Sequence, residues 1–103
     1  MTGPATIAQR LALLRDEAAF VALFREVAVA TDRKGRAFTG LTAATELATL
    51  GIDSFTLMEI LGRLEERLDG SLSDLRIAGL RRVGDVARAF EAELEELEAV
   101  ARP

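Results

Sequence analysis

The sequence predicts an all-α fold: an antiparallel four-helix bundle with a long first loop, a short third helix and an N-terminal helical extension. Apolar residues recur at i, i+4 and i+7 over three stretches, and no stretch of useful length alternates with the period of a strand. Polar segments carrying glycine separate the periodic stretches, as connections between helices do. At 103 residues, 50% apolar and 29% charged, the chain is one domain's worth and can bury a single core.

The first helical pattern fills the region up to residue 31. Ile7, Leu11, Leu14, Ala18 and Val21 make one stripe, and Phe20, Phe24, Val27 and Thr31 make a neighbouring one. The stripe changes near Arg15, Asp16 and Glu17, which fits two helices or one helix with a bend. Asp16 suits the cap of a second helix, although no capping box supports it. Residues 32–52 read as a long connection punctuated by Gly35, Gly40 and Gly51, with a helical turn within 43–50 that points Leu47 and Leu50 inward.

Residues 54–68 form the next helix. Leu57, Leu61, Leu64 and Leu68, widened by Ile60, face the core, and Thr56, Glu59, Arg63 and Glu66 face outward, with Glu59 and Arg63 in the favourable i, i+4 order. Asp69 and Gly70 end it, the glycine being suited to the left-handed closing conformation. A short helix over residues 72–78 follows Ser71 and stops at Gly79. The last helix spans residues 83–100, with Val83, Val86, Ala87, Phe90, Leu94 and Leu97 inward and the acidic run from Glu91 to Glu98 as its solvated continuation.

Composition narrows the chemistry. There is no cysteine and no histidine, so thiolate metal sites, disulfides and the usual general base are excluded, and no metal site is expected. A net charge of −4 argues against bulk electrostatic binding to nucleic acid or an anionic membrane. Met1 to Pro4 lack the basic start of a signal peptide, and Arg10, Arg15, Asp16 and Glu17 interrupt the apolar stretch behind them, so a soluble, cytoplasmic, monomeric protein is expected.

The segment Leu50-Gly51-Ile52-Asp53-Ser54-Phe55 lies where the long loop becomes a helix. Asp53 is a good N-cap, which puts Ser54 in the first turn, close to backbone N–H groups without helical partners. A phosphodiester on that hydroxyl would gain about 0.3–1 kcal/mol from the helix dipole. An Asp-Ser pair alone, however, is an ordinary helix start. Catalysis by Ser54 lacks a base: the single lysine, Lys34, sits in the loop with no spacing that links it to Ser54.

From about residue 41 to 94 the chain resembles acyl and peptidyl carrier proteins. The resemblance is carried by the motif just quoted, by Leu47, Glu59, Glu65 and Glu66, and by Val83-Gly84-Asp85 at the start of the last helix. It implies that Ser54, flanked by Asp53 and Phe55, bears a covalent 4′-phosphopantetheine installed from coenzyme A by a phosphopantetheinyl transferase. The protein would then be a substrate of that transferase and no enzyme itself. It would present acyl or aminoacyl thioesters to loading, condensing or tailoring enzymes of polyketide, fatty-acid-like or nonribosomal peptide assembly. On this reading residues 17–100 form the carrier domain and residues 1–16 an N-terminal helical extension. The rival reading is an unmodified helical adaptor that binds a partner through an apolar groove.

Three features depart from the family pattern. Phe55 stands where leucine is commoner. Gly62 lies inside a helix, either to let cargo or a partner approach or at an indifferent exposed position. Arg63 and Arg67 interrupt the acidic face usually shown to basic partners, and Arg76, Arg81 and Arg82 make its neighbourhood basic. Glu59, Arg63, Glu66 and Arg76 are therefore the candidate partner-recognition residues, for a partner of mixed charge.

Overall fold

The computed structural model describes residues 5–101; Met1 to Pro4, read above for a signal segment, lie outside them. The first 31 residues hold two helices, α1 (Ile7–Arg15) and α2 (Glu17–Thr31). Asp16 separates them by serving both. Its N–H closes α1 on the carbonyls of Ala12 and Leu13, and its carboxylate accepts the Ala19 N–H at 3.1 Å to open α2. Thr6 and Gln9 form a capping box at the start of α1, which the sequence reading did not identify. The break also ends the first stripe: Leu11 and Leu14 are buried, but Ala18 is exposed and Val21 half-buried. In α2 the inward face is Phe20, Leu23, Phe24, Val27 and Ala28.

The other helices are α3 (Ser54–Leu68), α4 (Asp74–Ala78) and α5 (Val83–Ala101), and no strand occurs among the described residues. Helix α2 packs on α3, and α1 packs chiefly on α5. Phe20, Phe24, Ile60, Leu61, Leu64, Val83, Val86, Phe90 and Leu94 form the innermost layer. Leu11 and Leu14 belong to the same core. Helix α1 is further fastened by Arg10, whose guanidinium donates to the carbonyls of Leu68 and Asp69 at 2.8 and 2.9 Å and so closes the C-terminus of α3.

Several details differ from expectation. The residue in the left-handed conformation after α3 is Asp69 (φ 48°), not Gly70; Gly70 instead lies against Leu94 and Phe90. Helix α4 starts two residues later than expected, because Ser73 caps it through the Arg76 N–H and Leu72 drops into the core. Thr56 faces inward and is buried. Leu97 is 51% exposed, at an open groove that it lines with Gly62, Glu66 and Gly70 at the end of α3. The acidic run is not simply solvated: Glu91 and Glu95 pair with Arg15, and Glu93 and Glu96 pair with Arg76.

The long connection is ordered by its own anchors. Burial pushes the Asp32 carboxylate up, but hydrogen bonds from the Arg36 and Lys34 N–H groups and the Arg36 guanidinium outweigh it and hold the group below its ordinary pKa. Phe38, in the left-handed region, inserts its ring into the core. Further along, the loop is stitched to the start of α5. Gly84 N–H donates to Ala43 O at 2.8 Å, Val83 N–H to Thr45 O at 3.0 Å, and Leu47 N–H to Arg81 O at 2.8 Å. A Cβ on Gly84 would lie 3.1 Å from the Ala43 oxygen, so the close approach favours glycine there. A 3₁₀ turn over Leu47–Thr49 buries Leu47, and Leu50 packs half-buried beside the core, as the sequence predicts.

Candidate functional site

The stitched loop delivers the chain to α3 in a fixed path. Gly51 turns it at φ 75°, Ile52 packs against the core, and Asp53 caps the helix by accepting the Thr56 N–H at 2.7 Å. That cap explains the buried Thr56, whose N–H and side chain hold Asp53 below the usual carboxylate range; the charges of Lys34 and Arg33 add to the effect. Ser54 follows as the first residue of α3. It is exposed, and its hydroxyl has no hydrogen-bond partner among the described residues.

Two surfaces flank Ser54. On one side runs an open groove of about 590 Å³, with Leu47, Ile52, Leu57 and Leu80 along it and Arg81 and Arg82 at its border. On the other, Phe55 and Met58 stand 64% and 48% exposed. The Arg33 guanidinium lies over the Phe55 ring, 5.7 Å from its centroid, and donates to both Glu59 oxygens at 2.9 and 3.4 Å. Lys34 has no spacing in the sequence that links it to Ser54, and Arg33 lies beside it in the same polar loop. The fold carries both to the front of α3, and nothing in their spacing announces it.

The other candidate residues are distributed along the molecule. Glu59 pairs with Arg33, so the expected Glu59–Arg63 pair does not form and Arg63 stays exposed. Glu66 lies further along α3, beside Arg63 and Arg67, and Arg67 pairs with Glu26 of α2. Glu65 accepts the Leu72 N–H at 2.7 Å and so has a structural partner. Arg76, on α4, is tied to Glu93 and Glu96 of α5 and is not part of the cluster around Phe55. A Cβ on Gly62 would meet nothing within 4 Å. No group of metal-ligating side chains occurs among the described residues.

A pantetheine arm ending in a phosphate asks for a free hydroxyl, cations within reach of the phosphodiester and a partly apolar groove. The exposed Ser54 oxygen and the adjoining groove meet the first and last of those demands, and Arg81 and Arg82 line that groove together with Glu46, Asp53 and Asp85. The phosphopantetheine attachment site family model matches residues 25–90, from within α2 to Phe90 of α5, and that span includes the Asp53–Ser54 turn. No curated protein and no solved structure matches the chain. The match covers well over half of the chain, and the all-helical architecture agrees with it: the chain belongs to the phosphopantetheine attachment site family and is a carrier protein whose prosthetic group is a covalently attached 4′-phosphopantetheine.

Proposed function

We propose that Ser54 is the attachment point, and that the protein carries acyl or aminoacyl intermediates as thioesters between the enzymes of a polyketide, fatty-acid-like or nonribosomal peptide pathway. The observation that carries this reading is the exposed, unpartnered Ser54 hydroxyl in the first turn of α3, directly after the Asp53 cap and inside the matched span. When bound, the prosthetic group supplies the thiol that the cysteine-free chain lacks. The chain's own part is to hold Ser54 outward, to border the arm with Leu47, Ile52, Leu57 and Leu80, and to offer cations for its phosphate. Among the described residues no helix is long and apolar enough to cross a membrane. We place the protein in the cytoplasm as a monomer, where coenzyme A and a phosphopantetheinyl transferase meet it. Asp53 and Phe55 flank the attachment point, and Glu59, Arg63 and Glu66 on α3 are assigned to partner recognition; Arg76 on α4, which the sequence groups with them, is tied to Glu93 and Glu96 of α5.

Incubation with coenzyme A, Mg²⁺ and a broad-specificity phosphopantetheinyl transferase tests the attachment. Intact-protein mass spectrometry should show a gain of one phosphopantetheine, and Ser54→Ala should show none. An unmodified parent protein would favour the adaptor reading, and a modified Ser54→Ala would move the site.

A further inference from the structure

We propose that the face beside Ser54 docks to a partner whose contact patch is an apolar pocket bordered by carboxylates, with Phe55 entering the pocket and Arg33 and Lys34 meeting the acids. This rests on the carrier reading and specifies its partner. On the Phe55 side of Ser54 the acids are Asp53 and Glu59, and both are committed; Glu46 and Asp85 line the groove on the other side. Asp53 caps the helix, and Glu59 receives both of its hydrogen bonds from Arg33. A basic partner reaching for Glu59 would have to break that pair while facing the Arg33 side chain, which is 67% exposed. Like charges brought together across an interface cost several kcal/mol.

The cations are less committed. Lys34 and Arg63 make no ion pair among the described residues, and both are exposed. Arg63 is on the same face of α3 as Glu59, one turn further along. Phe55 is the apolar anchor of the patch, and Met58 widens it. Arg33 already covers one face of the Phe55 ring, so a partner that encloses the ring also takes in the guanidinium. Enclosing that cation without an acid opposite it would leave it desolvated with only the Glu59 pair. A carboxylate rim removes the penalty.

The test uses the full chain, ¹⁵N-labelled, and two synthetic amphipathic helical peptides. Both carry leucines on one face; one has glutamates on the other face and the second has lysines. Amide shifts at Arg33, Lys34, Phe55, Met58 and Arg63 report binding at this face. The glutamate peptide is expected to bind there at least tenfold more tightly than the lysine peptide, and more weakly as salt rises. Arg33→Glu combined with Lys34→Glu should erase or invert the preference, and Phe55→Ala should weaken both peptides. Equal affinities, a preference for lysine, no shifts at this face, or shifts centred on Arg15 or Arg25 would each overturn the proposal. Loading of Ser54, read separately by mass, shows whether the carrier reading itself stands.

Discussion

The same substitution, glycine to alanine, should act with opposite sign at two places in this molecule. Gly62 lies in the interior of α3, and a methyl group there would meet nothing within 4 Å. Only the backbone term operates, and alanine is favoured over glycine in a helix interior by about 1 kcal/mol. For a domain of this size that raises Tm by roughly 4–8 °C. At Gly84, in the first turn of α5, the methyl group would sit 3.1 Å from the Ala43 oxygen and 3.2 Å from its Cβ. That oxygen cannot yield freely, because it accepts the Gly84 N–H and is flanked by the Val83–Thr45 and Leu47–Arg81 hydrogen bonds. Forcing an extra methyl group into such a contact costs about 1–3 kcal/mol, and the helix-propensity gain at a helix start offsets less than about 1 kcal/mol of it. The net loss is about 1–2 kcal/mol. The chain has no Trp or Tyr, so urea unfolding is followed by far-UV circular dichroism. A Gly84→Ala midpoint at or above that of the parent would refute the reasoning, as would a Gly62→Ala midpoint below it.

Asp53→Asn should flatten the acid side of the stability profile. The native pKa is depressed, so the contribution of Asp53 is complete above the unfolded value of about 3.9 and is lost as pH falls through the lower folded value; superimposable acid limbs for parent and variant would contradict this. Arg10→Met should destabilise by about 1–3 kcal/mol by uncovering the Leu68 and Asp69 carbonyls, measured as a shift in urea midpoint. Leu14→Ala should destabilise by about 2–5 kcal/mol, because α1 shares the common core; a change within the noise of surface substitutions would mean that α1 is dispensable.

The span of the helix that carries Ser54 was legible, although its faces were not wholly so: Thr56, expected outward, is buried, and Leu57, expected in the core, is half-buried. Its stripe has strong periodicity, Asp53 is an unambiguous cap, and both ends agree with the expected span. Residues whose placement depends on distant partners were read less well. Leu97 continues the apolar period of α5, but periodicity does not report the open groove between it and the end of α3. Asp69 and Gly70 both suited the end of α3, and the choice fell to Asp69 because Gly70 fits beneath Leu94 and Phe90. The order in the long loop was not legible from spacing. Its stitch to α5 is made by backbone groups, and among the residues that make it Gly84 alone is constrained by the close approach. Phe38, a large aromatic residue in a polar loop, was passed over in the sequence although the structure uses it as an anchor.

Charge shows why a count along the chain misjudges a surface. By position in the sequence, the stretch from Glu46 to Asp69 is acidic and the stretch from Arg76 to Arg88 is basic. In space, Arg33 arrives from the preceding loop and takes Glu59, Glu26 takes Arg67, and the acids of α5 take Arg76. The acidic helix therefore begins beside Ser54 with its acids balanced by Arg33 and Lys34, and the basic segment loses one of its arginines to a structural role. What a docking enzyme meets is the residue of these pairings: Glu59 already receives two hydrogen bonds, whereas the Arg33 guanidinium, 67% exposed, keeps N–H donors that Glu59 does not use. Exchanging Arg33 alone therefore changes two things at once: it removes a cation and frees an anion. Its effect on partner choice should exceed that of any exposed, unpaired arginine on the same face.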